Sequence, residues 1–75
     1  MMEKLTEVFR EVFDDDEITP HPQMTAAEVP EWDSLNHIRL MVAVEQAFNI
    51  HFTTNEISNL KNVGELMDLI NSKLR

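Results

Sequence analysis

The sequence predicts an all-α protein: a four-helix bundle with three longer helices, a short third helix, and a long loop between helices one and two. Apolar residues recur at the three- and four-residue spacing of amphipathic helices in separate segments. All three prolines fall in one stretch without such a period, and helix-capping pairs precede the last two helices. A chain of 75 residues supports one domain, which we expect to span residues 1–75.

The first helix is predicted from an apolar stripe near the start of the chain. Charged residues fill the positions between its members, as on the solvent side of a surface helix. The acidic run 14–17 opposes the negative end of the helix dipole, so we expect the helix to end there. The stripe consists of Leu5, Val8, Phe9, Val12 and Phe13.

Residues 17–33 are predicted to form a long loop, because no period is sustained and prolines interrupt any helix. Loops of this length are uncommon in compact domains unless they are anchored or functional. The expected anchors are Ile18, Met24, Val29 and Trp32.

The second helix, predicted over residues 34–48 with Asp33 or Ser34 at its N-terminal boundary, carries two apolar faces. A helix in a small bundle needs only one such face for the core. The first face consists of Leu40, Met41, Val44, Ala47 and Phe48. The second face, named here the apolar strip, consists of Leu35, Ile38 and Val42 and is left for another contact.

Two capping patterns predict the remaining helices. Thr53 precedes Glu56 by three residues, the spacing of a capping box, and opens a helix over about 54–60 with Ile57 and Leu60 facing inward. Asn62 and Glu65 repeat the spacing before the fourth helix. Its packing residues are expected to be Val63, Leu66, Met67, Ile70 and Leu74.

Composition excludes several classes of function. Fourteen acidic and six basic residues give a formal net charge of −8, which disfavours nucleic acid and anionic membrane surfaces and favours basic protein partners. Cysteine is absent, so disulfides and thiolate zinc sites are excluded. The start of the chain lacks the apolar run of a secretion signal, and no segment has the length to span a membrane. We therefore expect a cytoplasmic monomer.

The segment Asp33-Ser34-Leu35 resembles the attachment motif of acyl carrier proteins. The resemblance covers nearly the whole chain, including the proline-rich loop before the motif and the short third helix. It implies that Ser34 carries 4′-phosphopantetheine, that Asp33 and Leu35 are recognition residues, and that the protein catalyses nothing itself. It also implies a phosphopantetheinyl transferase, acyl-loading enzymes and acyl-transferring or synthase enzymes as partners.

In that family the second helix is the main contact surface for enzymes, which implies docking through the apolar strip together with Arg39 and Glu45. The chain departs from the housekeeping fatty-acid carriers at Asn36, His37 and Arg39, where those carriers are richer in acid, and at the pair 31–32 before the motif. These departures favour a specialised discrete carrier for polyketide, modified-lipid or other dedicated pathways.

Two other functions compete with an acyl carrier. An aminoacyl or peptidyl carrier shares the arm and the bundle, although Asp33 favours the acyl class. An unmodified helical interaction module would use the apolar strip to bind a partner helix. An enzyme is the poorest interpretation, because no nucleophile with a nearby base and no phosphate-binding glycine loop is evident.

Several side chains also have purely structural interpretations. Ser34 could cap the second helix. His37 could contact the phosphate or line the mouth of an acyl pocket, but a half-buried, hydrogen-bonded histidine is favoured. Trp32 could pin the loop or contact a partner equally well. The histidines are too scattered to indicate a metal site.

Overall fold

The computed structural model describes residues 1–74 and confirms the predicted all-α fold. Four α-helices follow in order: α1 is Met2–Phe13, α2 is Ser34–Phe48, α3 is Thr54–Ser58 and α4 is Val63–Lys73. A single 3₁₀ turn, Ala26–Glu28, lies in the long loop between α1 and α2. None of the described residues forms a strand.

Helix α1 buries the predicted stripe against α2. Phe9 is fully buried, and its ring lies 5.8 Å from that of Phe13 and 5.5 Å from that of Trp32. Aromatic pairs in such tilted and edge-on arrangements contribute about 0.5–1.5 kcal/mol beyond their buried area. Asp14 ends the helix in the left-handed conformation, with φ of 50°, directly after Phe13.

The long loop is held against the bundle by buried side chains and by main-chain hydrogen bonds. Its predicted anchors Ile18, Met24 and Val29 are buried in the core, and Trp32 is half-buried against it. Main-chain atoms also tie the loop to α4: the Val63 amide donates to the Met24 carbonyl at 2.9 Å, and the Gly64 amide donates to the Pro22 carbonyl at 2.8 Å. A Cβ at position 64 would lie 3.0 Å from that Pro22 oxygen, so glycine permits the close approach.

The 3₁₀ turn was not predicted, since three residues are too few to show a period. The Glu28 carboxylate accepts a hydrogen bond from the Thr25 amide at 3.0 Å. The two residues are three positions apart, which is the sequence spacing of a capping box. This pairing was present in the sequence and marks the turn.

Two details of the C-terminal half differ from prediction. Helix α3 ends at Ser58 rather than at residue 60, although Ile57 and Leu60 both pack against the core as expected. Leu74 was wrongly expected to pack, because it follows the last residue of α4 and is 52% exposed. Val63, Leu66 and Ile70 are buried and Met67 is half-buried, as predicted.

Candidate functional site

Ser34 is the first residue of α2, and its side chain is exposed. Asp33 supplies the helix cap, because its Oδ1 accepts a hydrogen bond from the Asn36 amide at 2.8 Å. The Asn36 side chain in turn donates to the Glu31 carbonyl at 2.7 Å, which fixes the loop just before the helix. The cap that the sequence left open between two residues is thus made by Asp33, and Ser34 is not needed for it.

The first turn of α2 leaves main-chain donors without a partner at Ser34 and Leu35 among residues 1–74. The cap takes the Asn36 amide, and the His37 amide donates to the Asp33 carbonyl at 2.8 Å. The earlier amides of the turn, those of Ser34 and Leu35, make no hydrogen bond to any of residues 1–74. Free amides and the positive end of the helix dipole favour an anionic group at this point.

Trp32 and His37 form a connected pair beside the first turn. The Trp32 indole Nε1 donates to His37 Nδ1 at 3.0 Å, and His37 Nε2 lies 2.9 Å from the Ile57 carbonyl oxygen. The Trp32 ring also packs against Phe9 and Phe13. His37 is thus half-buried and hydrogen-bonded, as its structural interpretation predicted, and it also lines the pocket beside Ser34, as the alternative predicted. The contacts of Trp32 match its interpretation as a loop anchor.

An open pocket of about 600 Å³ lies beside Ser34, between α2 on one side and α3 with the start of α4 on the other. Its lining includes Asp33, Ser34 and His37 together with Met41 and Leu66, which are almost fully buried and are named here the floor of the pocket. Further lining comes from Ile38, Ile57, Ser58 and Leu60. The sequence predicted the mouth of a pocket only at His37, as an alternative role, and it predicted Ile38 for the apolar strip and Met41 for the core. The spacing of Ser34, His37 and Met41 on one helix face could have indicated a continuous row.

The apolar strip lies outside the core on the same helix. Leu35 is 68% exposed, Ile38 is 50% exposed and Val42 is 45% exposed. Arg39 is exposed next to them. Glu45 is placed differently, because its carboxylate accepts from the Phe52 amide at 2.8 Å and its side chain is only 22% exposed.

The described residues hold no cluster of three potential metal ligands. No helix in this part of the chain combines the length and the apolar character required to cross a bilayer.

Known proteins match this arrangement along most of the chain. The family model for a phosphopantetheine attachment site matches residues 3–70. An acyl carrier protein from Acidothermus cellulolyticus is 30% identical over 66 residues, which cover 88% of this chain and 79% of that protein. An acyl carrier protein from Thermosynechococcus vestitus is 34% identical over 53 residues, covering 71% of this chain and 65% of that protein.

A solved structure extends the match to the fold. The solution structure of a holo acyl carrier protein from Geobacter metallireducens superposes with a TM-score of 0.90 at 44% identity, covering 97% of this chain and 84% of that one. Its holo form and the attachment-site match support a covalent 4′-phosphopantetheine and a carrier rather than an enzyme. By sequence, fold and attachment-site match, this chain belongs to the acyl carrier protein family.

Proposed function

We propose that this chain holds acyl or polyketide intermediates as thioesters on a 4′-phosphopantetheine arm attached to Ser34, and that it delivers them to partner enzymes. When bound, the arm supplies a terminal thiol that keeps acyl groups activated for transfer. The observation that carries the proposal is the exposed Ser34 side chain, which is spared from capping by Asp33 and stands at the start of α2. A single carrier domain of residues 1–75 is part of this proposal.

The residues around Ser34 fit a phosphodiester. The free amides of Ser34 and Leu35 point out of the helix N-terminus, where an anion is stabilised by the dipole. The Asp33 carboxylate lies at this turn, and its Oδ1 already accepts a hydrogen bond from the Asn36 amide. The site therefore offers donors to an anionic group attached at Ser34.

Partner enzymes are proposed to dock on α2. An exposed row formed by Leu35, Ile38 and Val42 begins beside Ser34, so an enzyme that reaches the arm also meets the row. Arg39 adds a positive charge at its edge. Glu45 was grouped with these residues, but its bond to the Phe52 amide gives it a structural task, so the proposed docking surface is Leu35, Ile38, Arg39 and Val42.

The partners proposed are a phosphopantetheinyl transferase, acyl-loading enzymes and acyl-transferring or synthase enzymes. The unmodified interaction module is disfavoured by the attachment-site match over residues 3–70. An acyl cargo is proposed over an aminoacyl or peptidyl cargo because the two relatives and the solved structure carry the name acyl carrier protein. A dedicated pathway, a monomeric state and a cytoplasmic location stay predictions.

Intact mass tests the attachment residue. The apo protein is incubated with coenzyme A and a permissive phosphopantetheinyl transferase, and we expect a gain of one phosphopantetheine on the wild type. Ser34→Ala should show no gain, because it removes the hydroxyl to be esterified. Ser58→Ala, which alters another exposed serine at the same pocket, is the matched control and should be modified like the wild type.

Two results would contradict the proposal. One is an unmodified wild type under conditions that modify a known carrier. The other is a Ser34→Ala variant that still gains the arm. A circular dichroism spectrum of each variant confirms that the helices are retained, so that a loss of modification reports on the hydroxyl.

A further inference from the structure

His37 stands between the attachment residue and the buried floor of the pocket. Ser34, His37 and Met41 are spaced at i, i+3 and i+7 on α2, which places them in one row along the helix face. All three line the pocket, and Met41 is fully buried while Ser34 is exposed. A chain that runs from Ser34 to the floor along this row therefore passes the imidazole of His37.

Both ring nitrogens of His37 are hydrogen-bonded. Tryptophan Nε1 is only a donor and a carbonyl oxygen only an acceptor, so Nδ1 of His37 accepts from Trp32 and Nε2 donates to the Ile57 carbonyl. Because Ile57 belongs to α3 and also lines the pocket, the second bond joins the two walls. At 2.9 Å it leaves no space for a chain between these two atoms.

We propose that His37 is a specificity-determining residue that selects cargo by chain length. The inference rests on the proposed function, since it concerns the acyl chain carried on Ser34. Passage of a chain along this row to Met41 and Leu66 displaces the His37 ring, which opens its bond to the Ile57 carbonyl and also breaks the bond from Trp32. Short chains stay outside, whereas longer chains bury enough apolar surface to offset the loss.

The expected threshold follows from comparing the two effects. The net contribution of one neutral hydrogen bond is similar to that of burying roughly one methylene group. Opening the pair of bonds therefore corresponds to burying roughly two methylene groups. Removing the imidazole should shorten the minimum chain that reaches the floor by about that amount.

The test loads wild type, His37→Ala, His37→Gln and His51→Ala with a series of saturated acyl chains through non-hydrolysable amide analogues of acyl coenzyme A. His51 is an exposed histidine outside the pocket lining and serves as the matched control. Nuclear Overhauser contacts between the chain and the Met41 methyl group report arrival at the floor. The single tryptophan gives one indole N–H signal, which reports the bond to His37.

In the wild type and in His51→Ala, we expect the Met41 contact and a shift of the indole signal to begin at the same chain length. In His37→Ala the Met41 contact should begin at chains shorter by roughly two methylene groups. His37→Gln should restore part of the threshold, because its amide can donate to the Ile57 carbonyl.

An unchanged threshold in His37→Ala, or an indole signal that does not move when the wild-type chain reaches Met41, would overturn the proposal. The wild-type measurement keeps it falsifiable even if His37→Ala does not fold. Intact mass is read first: a wild type that does not accept the arm refutes the proposed function and this inference together, whereas a loaded protein with no dependence on His37 refutes this inference alone.

Discussion

Single side chains set the starts of three of the four helices. Asp33 caps α2 and Asn62 caps α4, each accepting from the amide three residues later at 2.8 Å. Thr53 caps α3 at 3.2 Å. Replacing such a cap by alanine typically costs about 1 kcal/mol of stability, which matters in a chain of 75 residues. The Asp33 cap therefore fixes Ser34 as the first residue of α2.

Glu56 completes the cap of α3 and links it to α4. Its Oε1 accepts from the Thr53 amide at 2.8 Å and lies 2.9 Å from Lys73 Nζ. The amide of Thr53 first, and then Lys73 and the Thr53 hydroxyl, lower the pKa of Glu56 below its ordinary value. All of these contacts favour the charged carboxylate.

Glu56→Gln should reduce stability at neutral pH and lose that deficit in acid. Because the pKa of Glu56 is lower in the folded state, its stabilisation is present above the unfolded value of about 4.5 and is lost as the pH falls through the folded value. The melting temperatures of wild type and Glu56→Gln should therefore converge as the pH falls below about 4.5 and on through the lower folded value.

Glu7→Gln, at an exposed glutamate of α1, controls for the removal of one carboxylate. A constant difference between wild type and Glu56→Gln across this pH range would show that the ion pair and cap contribute nothing through charge.

Helix α2 carries two apolar surfaces at different angular positions around its axis. Its core side contains Leu40, Met41 and Val44, all fully buried, whereas the apolar strip stays exposed. The helix holds one arginine and one glutamate, and the glutamate is engaged by the Phe52 amide. The exposed part of α2 thus combines the apolar strip with one cation, Arg39, in a protein whose overall charge is −8.

Ile38→Glu and Val42→Glu should each slow arm transfer by a phosphopantetheinyl transferase while leaving the helical spectrum unchanged. Both side chains are about half exposed, so a carboxylate can reach water, but it would be desolvated in an apolar contact. A loss of about tenfold in the initial rate is the size expected for a central interface residue.

Gln46→Glu adds the same charge at another exposed position of α2 and should transfer the arm at the wild-type rate. Unfolding of Ile38→Glu would show that the strip belongs to the core. An unchanged rate for both strip variants would show that the transferase does not bind this surface.

For the whole molecule, repulsion between like charges destabilises the compact folded state. The excess of eight negative charges includes the run Asp14, Asp15, Asp16 and Glu17 at the end of α1. Repulsion between such exposed charges acts over the Debye length, which falls from about 30 Å at 0.01 M salt to about 8 Å at 0.15 M. Salt should therefore stabilise the fold.

The melting temperature should rise between about 0.01 M and 0.15 M sodium chloride, because screening weakens this repulsion. Calorimetry or circular dichroism measures the change. A variant combining Asp16→Asn and Glu17→Gln removes two exposed charges and should show a smaller response. A flat melting temperature across this range in the wild type would contradict the prediction.

Most of the fold and the candidate attachment residue could be predicted because they depend on local patterns. Each of these features is set by a short segment of adjacent residues. This applies to the bounds of α2, to the caps at Thr53 and Asn62, and to the motif around Ser34. The bonds of His37 could not be predicted, since Ile57 lies twenty positions away and is reached only through tertiary packing. The sequence indicated a pocket only through the alternative role of His37, because the rest of the lining comes together through the same tertiary packing.

The two main-chain bonds between the loop and α4 have a consequence for local opening. The Val63 and Gly64 amides belong to the first turn of α4, where a helix has no carbonyl of its own to offer, and they depend on the loop carbonyls of Met24 and Pro22. Their hydrogen exchange with solvent therefore reports detachment of the loop, whereas exchange of later α4 amides reports unfolding of the helix. Comparing the two rates would reveal how often the segment leading to Ser34 is released while the bundle stays folded.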